Sequence, residues 1–111
     1  MKKQINHIML LMLLVSGTGL NAQTPLLNSY APAAATVYLD FDGGTVNGTL
    51  WNEKGEIVAG PTGFSSATVT WIYKKIADHF ALFNLNITTD PAMYKRAPVH
   101  QRIRIIFTPE G

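Results

Sequence analysis

An apolar stripe in the middle of the chain limits the folds that this sequence can adopt. Between Ser66 and Phe83, apolar side chains recur at three- and four-residue spacing, namely Val69, Ile72, Tyr73, Ile76, Phe80 and Phe83. This spacing predicts one long amphipathic helix with a buried face. Ser65 or Ser66 can act as its N-cap, and Asn84 tolerates the backbone conformation that ends a helix.

Three short segments with alternating apolar residues surround this helix. The first covers residues 36–42, with Val37, Leu39 and Phe41 on one face, and the second covers residues 84–89. The third contains Ile103, Ile105 and Phe107. This alternation is typical of β-strands, and two strands joined through a helix pair in parallel with a right-handed connection. We therefore predict an α/β fold with a partial, mostly parallel sheet and one long amphipathic helix.

The third predicted strand carries apolar side chains on both faces, because Ile106 lies on the side opposite its other apolar residues. Such a strand is typical of the interior of a sheet that is covered on each side. Trp71 and Leu82 lie off the main stripe of the helix and indicate a second contact surface. We expect a further helix, on the face opposite the first, to bury these groups, so that residues 36–111 form an incomplete domain.

The N-terminus has the order of regions that is typical of a secretory signal peptide. Lys2 and Lys3 precede an apolar run from Ile8 to Val15, and small and polar residues follow it. The run is about half the roughly 20 residues that a membrane-spanning helix needs. We predict that residues 1–22 are a signal peptide and that the protein is secreted or periplasmic, with no membrane contact after cleavage.

The rest of the sequence divides into a lead-in and one small domain. Residues 23–35 are rich in Pro, Ala, Asn, Ser and Thr and lack apolar periodicity, which predicts a flexible lead-in. Residues 45–61 contain three glycines and two apolar pairs, which indicates an irregular or hairpin-like excursion.

The charge balance argues against a nucleic-acid partner. Loss of Lys2 and Lys3 with the signal peptide leaves equal numbers of basic and acidic side chains. No basic stripe remains that could neutralise a series of phosphates. The sequence also contains no cysteine, so disulfides cannot stabilise the protein outside the cell.

No known catalytic signature occurs in the sequence. It contains no H-E-x-x-H, C-x-x-C, G-x-S-x-G or Walker motif. His7 is lost with the signal peptide, and His79 and His100 have no ligand-type residue at a short helical spacing. His79, at the margin of the apolar stripe beside Asp78, is either a partly packed or surface histidine or a ligand or general base. A zinc site needs three or four converging groups. We therefore predict no catalytic, cofactor-binding or metal-binding residue, and no cofactor, in this chain.

Asp40 and Asp42 allow two interpretations. Alternation along a strand places both carboxylates on one face, directly before Gly43. They could bind Ca²⁺, which takes six to eight oxygen ligands, with Asp90 or Glu110 as further donors. Alternatively, they accept hydrogen bonds from backbone amides at the turn or pair with a basic neighbour such as Arg104.

Several short motifs follow one another between residues 38 and 91. They are Tyr38-Leu39-Asp40-Phe41-Asp42-Gly43, Gly48-Thr49 with Trp51-Asn52, Ala77-Asp78 with Phe80, Phe83-Asn84, and Asn86-Ile87-Thr88-Thr89-Asp90-Pro91. In this order they resemble the N-terminal part of secreted bacterial zinc metalloproteases of metzincin type. The resemblance covers about Tyr38 to Phe107. It implies a strand, a long helix and further mostly parallel strands.

The resemblance also implies a hydrolase mechanism for the parent protein. In that family, three histidines hold zinc, and a glutamate beside the first acts as general base on the metal-bound water. None of these residues has a counterpart here, so no catalytic residue can be assigned. The chain is then an N-terminal fragment of a secreted zinc-dependent peptidase and is inactive by itself. Zinc and a protein or peptide substrate would bind to the missing C-terminal part.

Two expectations separate this interpretation from its alternative. The coding sequence should continue past Gly111 and encode H-E-x-x-H within roughly the next hundred residues. The alternative is a non-catalytic exported module, in which Trp51, Trp71 and the loop between Asp42 and Phe64 contact a protein or a glycan. A coding frame that stops at Gly111 would favour this alternative.

Overall fold

The structure, a computed structural model, describes residues 24–109, so the predicted signal peptide at residues 1–22 lies outside the described residues. Within this range the elements are β1 (Thr36–Asp40), β2 (Gly44–Val46), β3 (Ile57–Ala59), α1 (Ser66–His79), β4 (Asn86–Thr88), α2 (Pro91–Arg96) and β5 (Arg102–Ile106). A short 3-10 helix, Val99–Gln101, precedes β5.

β1 is the central strand of a three-stranded sheet with the order β4-β1-β5, and both of its pairings are parallel. Val37 lies opposite Ile87 of β4 and opposite Ile103 of β5. Parallel neighbours require long crossover connections, which α1 and α2 provide. The predicted α/β class with a mostly parallel sheet is therefore confirmed.

The two faces of the sheet are covered by different helices. On one face, a core forms between the sheet and α1 from Leu39, Phe41, Val69, Tyr73 and Ile87. On the other face, the ring of Tyr38 lies against that of Tyr94 in α2, with 5.4 Å between the ring centroids. Because β1 is covered on both sides, its polar residue Asp40 is buried together with its apolar ones.

α1 begins where the sequence pattern predicts. Ser65 is the N-cap, and its side-chain oxygen accepts the backbone N–H of Thr68 at 3.1 Å. Val69 and Tyr73, one helical turn apart, are both buried against the sheet. The cap and the apolar stripe thus agree on the start and the orientation of the helix.

The C-terminal end of α1 differs from the prediction. The helix ends at His79, not near Phe83 or Asn84, and contains 14 residues. Phe80 has φ −109° and ψ 16°, and the N–H of Phe83 bonds to the carbonyl of Phe80, three residues back. Tight turns of this kind retain a three-residue spacing, so the apolar periodicity continues after the helix has ended. The sequence pattern therefore predicts a longer helix than the structure has.

β5 lies at the edge of the sheet within residues 24–109, although its sequence predicts an interior strand. Ile103 and Ile105 are 55% and 40% exposed. Their register opposite Val37 and Leu39 places them on the face that α1 covers, where α1 does not reach them. The uncovered apolar surface is thus beside α1, and α2 already occupies the face on which a further helix was expected.

Residues 25–30, within the predicted flexible lead-in, are hydrogen-bonded along β4. The carbonyl of Leu27 accepts the N–H of Thr89 at 3.0 Å. Asn86 is fully buried, and its Oδ1 accepts the N–H of Tyr30 at 3.0 Å. This segment satisfies polar groups along the outer edge of β4, which would otherwise be an open sheet edge.

β2 and β3 form an antiparallel hairpin, in agreement with the hairpin-like alternative for residues 45–61. Gly43 connects the hairpin to β1 and has a φ of 79°. A Cβ at this position would lie 2.6 Å from the backbone carbonyl oxygen of Ala59 in the hairpin. Only glycine therefore fits this junction.

Candidate functional site

A buried ion pair joins β1 and β5. Asp40 is 2% exposed, and its Oδ2 accepts hydrogen bonds from Nε and Nη2 of Arg104 at 2.9 and 2.6 Å. Its Oδ1 accepts the backbone N–H of Asp42 at 2.9 Å. Arg104 lies opposite Tyr38 in the parallel register, two residues before the position opposite Asp40. Its side chain is therefore on the same face of the sheet as that of Asp40. Of the two interpretations of Asp40, the structure shows the pairing with Arg104.

The short helix α2 closes this face of the sheet. Arg102 donates from Nη1 to the carbonyl oxygens of Tyr94, Lys95 and Ala97 at 3.1, 3.3 and 3.3 Å. Its guanidinium also lies 4.6 Å from the centroid of the Tyr94 ring. A cation at the C-terminal end of a helix neutralises carbonyls that lack partners within the helix. Arg102 thereby fixes α2, and α2 places Tyr94 over Tyr38.

A cleft of about 250 Å³ lies beside the ion pair, lined by Tyr38, Asp40, Asp42, Gly43, Pro91, Tyr94, Lys95 and Arg104. It lies toward the carboxyl ends of β1 and β5, where the chain leaves β1 through α1 for β4 and returns past β1 through α2 to β5. Ligands of open α/β sheets commonly bind at this position. Asp42 is exposed, and its Oδ1 accepts the hydroxyl of Thr24 at 2.6 Å.

The chemistry available in this cleft is limited. Both carboxylate oxygens of Asp40 already accept hydrogen bonds, and Arg104 is held by Asp40. Within residues 24–109, every buried side-chain nitrogen or oxygen has a hydrogen-bond partner. The arrangement can hold β1 and β5 together and set the shape of the cleft, but it offers no free buried base or nucleophile.

The hydroxyl of Tyr38 should lose its proton at an unusually high pH. Burial, helped by the negative charges of Asp40 and Asp42, raises the pKa of Tyr38 from 10.0 to about 12. The folded state therefore holds the phenolic proton more tightly than the unfolded state does. The resulting stability is fully present below pH 10 and should be lost as the pH rises toward 12.

The measurement for Tyr38 is denaturant unfolding across this pH range. The wild-type protein should lose more unfolding free energy between pH 10 and pH 12 than the Tyr38→Phe variant, which cannot ionise at this position. In a pH titration followed by tyrosinate absorbance, the variant should lack the component that appears at the highest pH. Identical pH dependence of both proteins would contradict the assignment.

The described histidines do not form a metal site. Among residues 24–109 there is no group of three or more His, Asp or Glu side chains that could hold a metal ion. His79 is exposed at the end of α1, with its Nδ1 2.7 Å from the carbonyl oxygen of Lys75. His100 lies in the 3-10 helix before β5. The zinc that the metzincin resemblance implies therefore has no fitting ligand set in this part of the protein.

The hairpin presents apolar side chains to solvent. Leu50 and Trp51 are 95% and 83% exposed between β2 and β3. The turn that carries them is held by Asn52, which accepts from the N–H and the hydroxyl of Thr49 and donates to the carbonyl of Val46 at 2.7 Å. Local hydrogen bonds thus hold the backbone of the turn while its two largest side chains have no packing partner in the described structure.

A second apolar region lies at the C-terminal end of α1. A cleft of about 530 Å³ opens there, lined by Ser29, Tyr30, Ala77, Asp78, Phe80, Ala81, Leu82, Phe83, Asn84 and Leu85. Leu82 is 98% exposed, and Trp71 on the outer side of α1 is 62% exposed. The second contact surface that these two residues indicate in the sequence has no covering element within residues 24–109.

Comparison with known proteins gives no relative for this protein: no protein family, no curated protein and no solved structure matches it. Of the helices in residues 24–109, none has the length and apolar character required to span a membrane.

Two residues with structural roles, one beside the cleft and one in β4, are missing from the sequence-based prediction. Tyr94 packs on Tyr38, yet it lies in a short segment without apolar periodicity. Asn86 is fully buried and donates to the side chain of Asn28 at 2.8 Å. The one signal in the sequence is a polar residue between Leu85 and Ile87 in a short strand. If such an amide is buried, it needs hydrogen-bond partners.

Proposed function

We propose that this protein is the N-terminal part of the catalytic domain of an exported zinc-dependent peptidase, which hydrolyses peptide bonds in a protein or peptide substrate. The order of elements supports this proposal. A strand, a helix and two further strands parallel to the first follow one another, as the metzincin resemblance implies. The chain by itself is inactive in this proposal, since the zinc ligands belong to a later part of the parent protein.

The observation that carries the proposal is the uncovered apolar surface of β5. Ile103 and Ile105 lie next to the core on the face of α1, and the outer edge of β5 has no partner strand within residues 24–109. Burial of such a side chain stabilises a fold by about 1.5–3 kcal/mol. We assign the zinc-binding helix of the parent protein to this surface, and a further strand to the edge.

The coding sequence downstream of Gly111 tests this proposal directly. We expect the reading frame to continue and to encode H-E-x-x-H, extended as H-E-x-x-H-x-x-G-x-x-H or with Asp in the last place, within roughly a hundred residues. The longer product should bind one zinc ion and cleave peptides. Replacement of the motif glutamate by glutamine should leave zinc binding intact and abolish cleavage, because the general base is lost.

A stop codon directly after Gly111 in an undamaged gene would refute the peptidase. It would leave a second candidate, a non-catalytic exported module that binds a protein or a glycan. The exposure of Leu50 and Trp51 on a hydrogen-bonded turn favours this second candidate, because exposed aromatic side chains on an ordered turn are common binding anchors. The gene sequence downstream of Gly111 therefore distinguishes the two candidate functions.

A further inference from the structure

The β2–β3 hairpin contains an asparagine in an unusually reactive setting. Asn47 is followed by glycine, unlike every other asparagine of the sequence. It is exposed, at the start of the turn that carries Trp51. The backbone N–H of Gly48 donates to Oδ1 of Asn47 at 3.2 Å, so the nitrogen of Gly48 lies against the side-chain amide.

We propose that Asn47 is a site of spontaneous deamidation. The backbone nitrogen of Gly48 loses its proton to solvent base and attacks Cγ, the amide carbon of the Asn47 side chain. The bond from Cγ to Nδ2 breaks, ammonia leaves, and a five-membered succinimide remains. Water then adds to either carbonyl of the ring and opens it, giving aspartate or isoaspartate with no change in oxidation state.

The surroundings of Gly48 favour ring closure. It has a φ of 72°, and a Cβ built at this position would meet no atom within 4 Å apart from its chain neighbours. Residue 48 has no side chain that could shield this nitrogen. The absence of close neighbours also leaves room for the turn to adopt the cyclic geometry.

Two other asparagines, Asn86 and Asn52, are protected. Asn86 is fully buried, and the N–H of Ile87 that would have to attack it donates to Oγ of Ser29 at 2.8 Å. The amide of Asn52 is held by several hydrogen bonds, including donation to the carbonyl of Gly55 at 3.0 Å. Asn47 should therefore deamidate and Asn86 should not, although both lie in Asn-X-Thr sequences.

Deamidation would alter the hairpin in two respects. Either product adds a negative charge at residue 47, and isoaspartate also inserts one methylene into the backbone. The insertion falls directly after Val46, which pairs with Ile57 at the loop end of the hairpin. The direction in which the following turn presents Leu50 and Trp51 should therefore change. This inference is independent of the proposed peptidase function.

The experiment follows the mass of the full-length protein during incubation in mildly alkaline buffer. We expect a gain of about 1 Da, the difference between an amide and a carboxyl group, located at residue 47 by peptide mapping, with isoaspartate as part of the product. Asn47→Gln should abolish the gain, because its ring closure would require a six-membered ring. Gly48→Ala should slow it by about tenfold, because a Cβ disfavours the left-handed conformation and crowds the nitrogen.

The result can contradict the proposal in two ways. Residue 47 could remain an asparagine after prolonged incubation, or the Asn47→Gln variant could gain mass at the rate of the wild-type protein. Either outcome would overturn the assignment. Gln at position 47 keeps an exposed amide, so this variant remains informative even if Gly48→Ala disturbs the turn.

Discussion

Replacement of Leu39 by alanine should lower the free energy of unfolding by about 3 kcal/mol. Leu39 is a fully buried residue of β1, in the cluster that contains Val69, Tyr73 and Ile87. The change removes three carbon atoms and leaves a cavity that the flanking strands cannot close, because both are fixed by their pairing with β1.

Leu82→Ala is the matched control for this experiment, since the same atoms are removed from a side chain that is 98% exposed. Its unfolding free energy should differ from that of the wild-type protein by less than about 0.5 kcal/mol. Denaturant unfolding measures both variants. Equal losses in the two variants would show that the core does not lie where the structure has it.

Arg104→Met should also cost about 3 kcal/mol of unfolding free energy. The change leaves the carboxylate of Asp40, which is 2% exposed, without its cation and without two hydrogen bonds. We expect the lower end of the range that is typical of broken buried pairs, because the Arg104 side chain is 29% exposed and water can reach part of the site.

A double-mutant cycle separates the ion pair from packing. Asp40→Asn with Arg104→Met removes both charges while Oδ1 of residue 40 can still accept the N–H of Asp42. The double variant should be more stable than Arg104→Met alone, since no unpaired charge remains buried. Arg96→Met, which removes an exposed guanidinium, should have little effect. Additive losses in the cycle would contradict a direct interaction between Asp40 and Arg104.

Much of the fold could be predicted because its signals are local. The N-cap at Ser65 and the stripe through Val69 and Tyr73 lie within two helical turns, so they specify the helix start and the buried face. The alternation of Val37 and Leu39 predicts a strand in the same way. The end of α1 could not be predicted, because the turns after His79 repeat the spacing of a helix.

The site depends on contacts between distant parts of the sequence. Nothing near Asp40 in the sequence distinguishes Arg104 from other cations, and calcium stays a chemical alternative until the register of β1 and β5 is known. The same holds for Asn86 and Tyr30, which meet only when the segment before β1 lies along β4. Such pairings cannot be read from periodicity.

The amino-acid sequence by itself determined the α/β class, the start of the helix and the apolar faces, because these follow from side-chain periods of two and 3.6 residues. The tertiary structure decided which strands are neighbours, which charge neutralises Asp40 and which apolar residues stay uncovered. Ile103 and Ile105 have the sequence of an interior strand but lie at an edge within residues 24–109. Their exposure depends on where α1 lies on the sheet and on what packs beside it, and no local pattern contains that information.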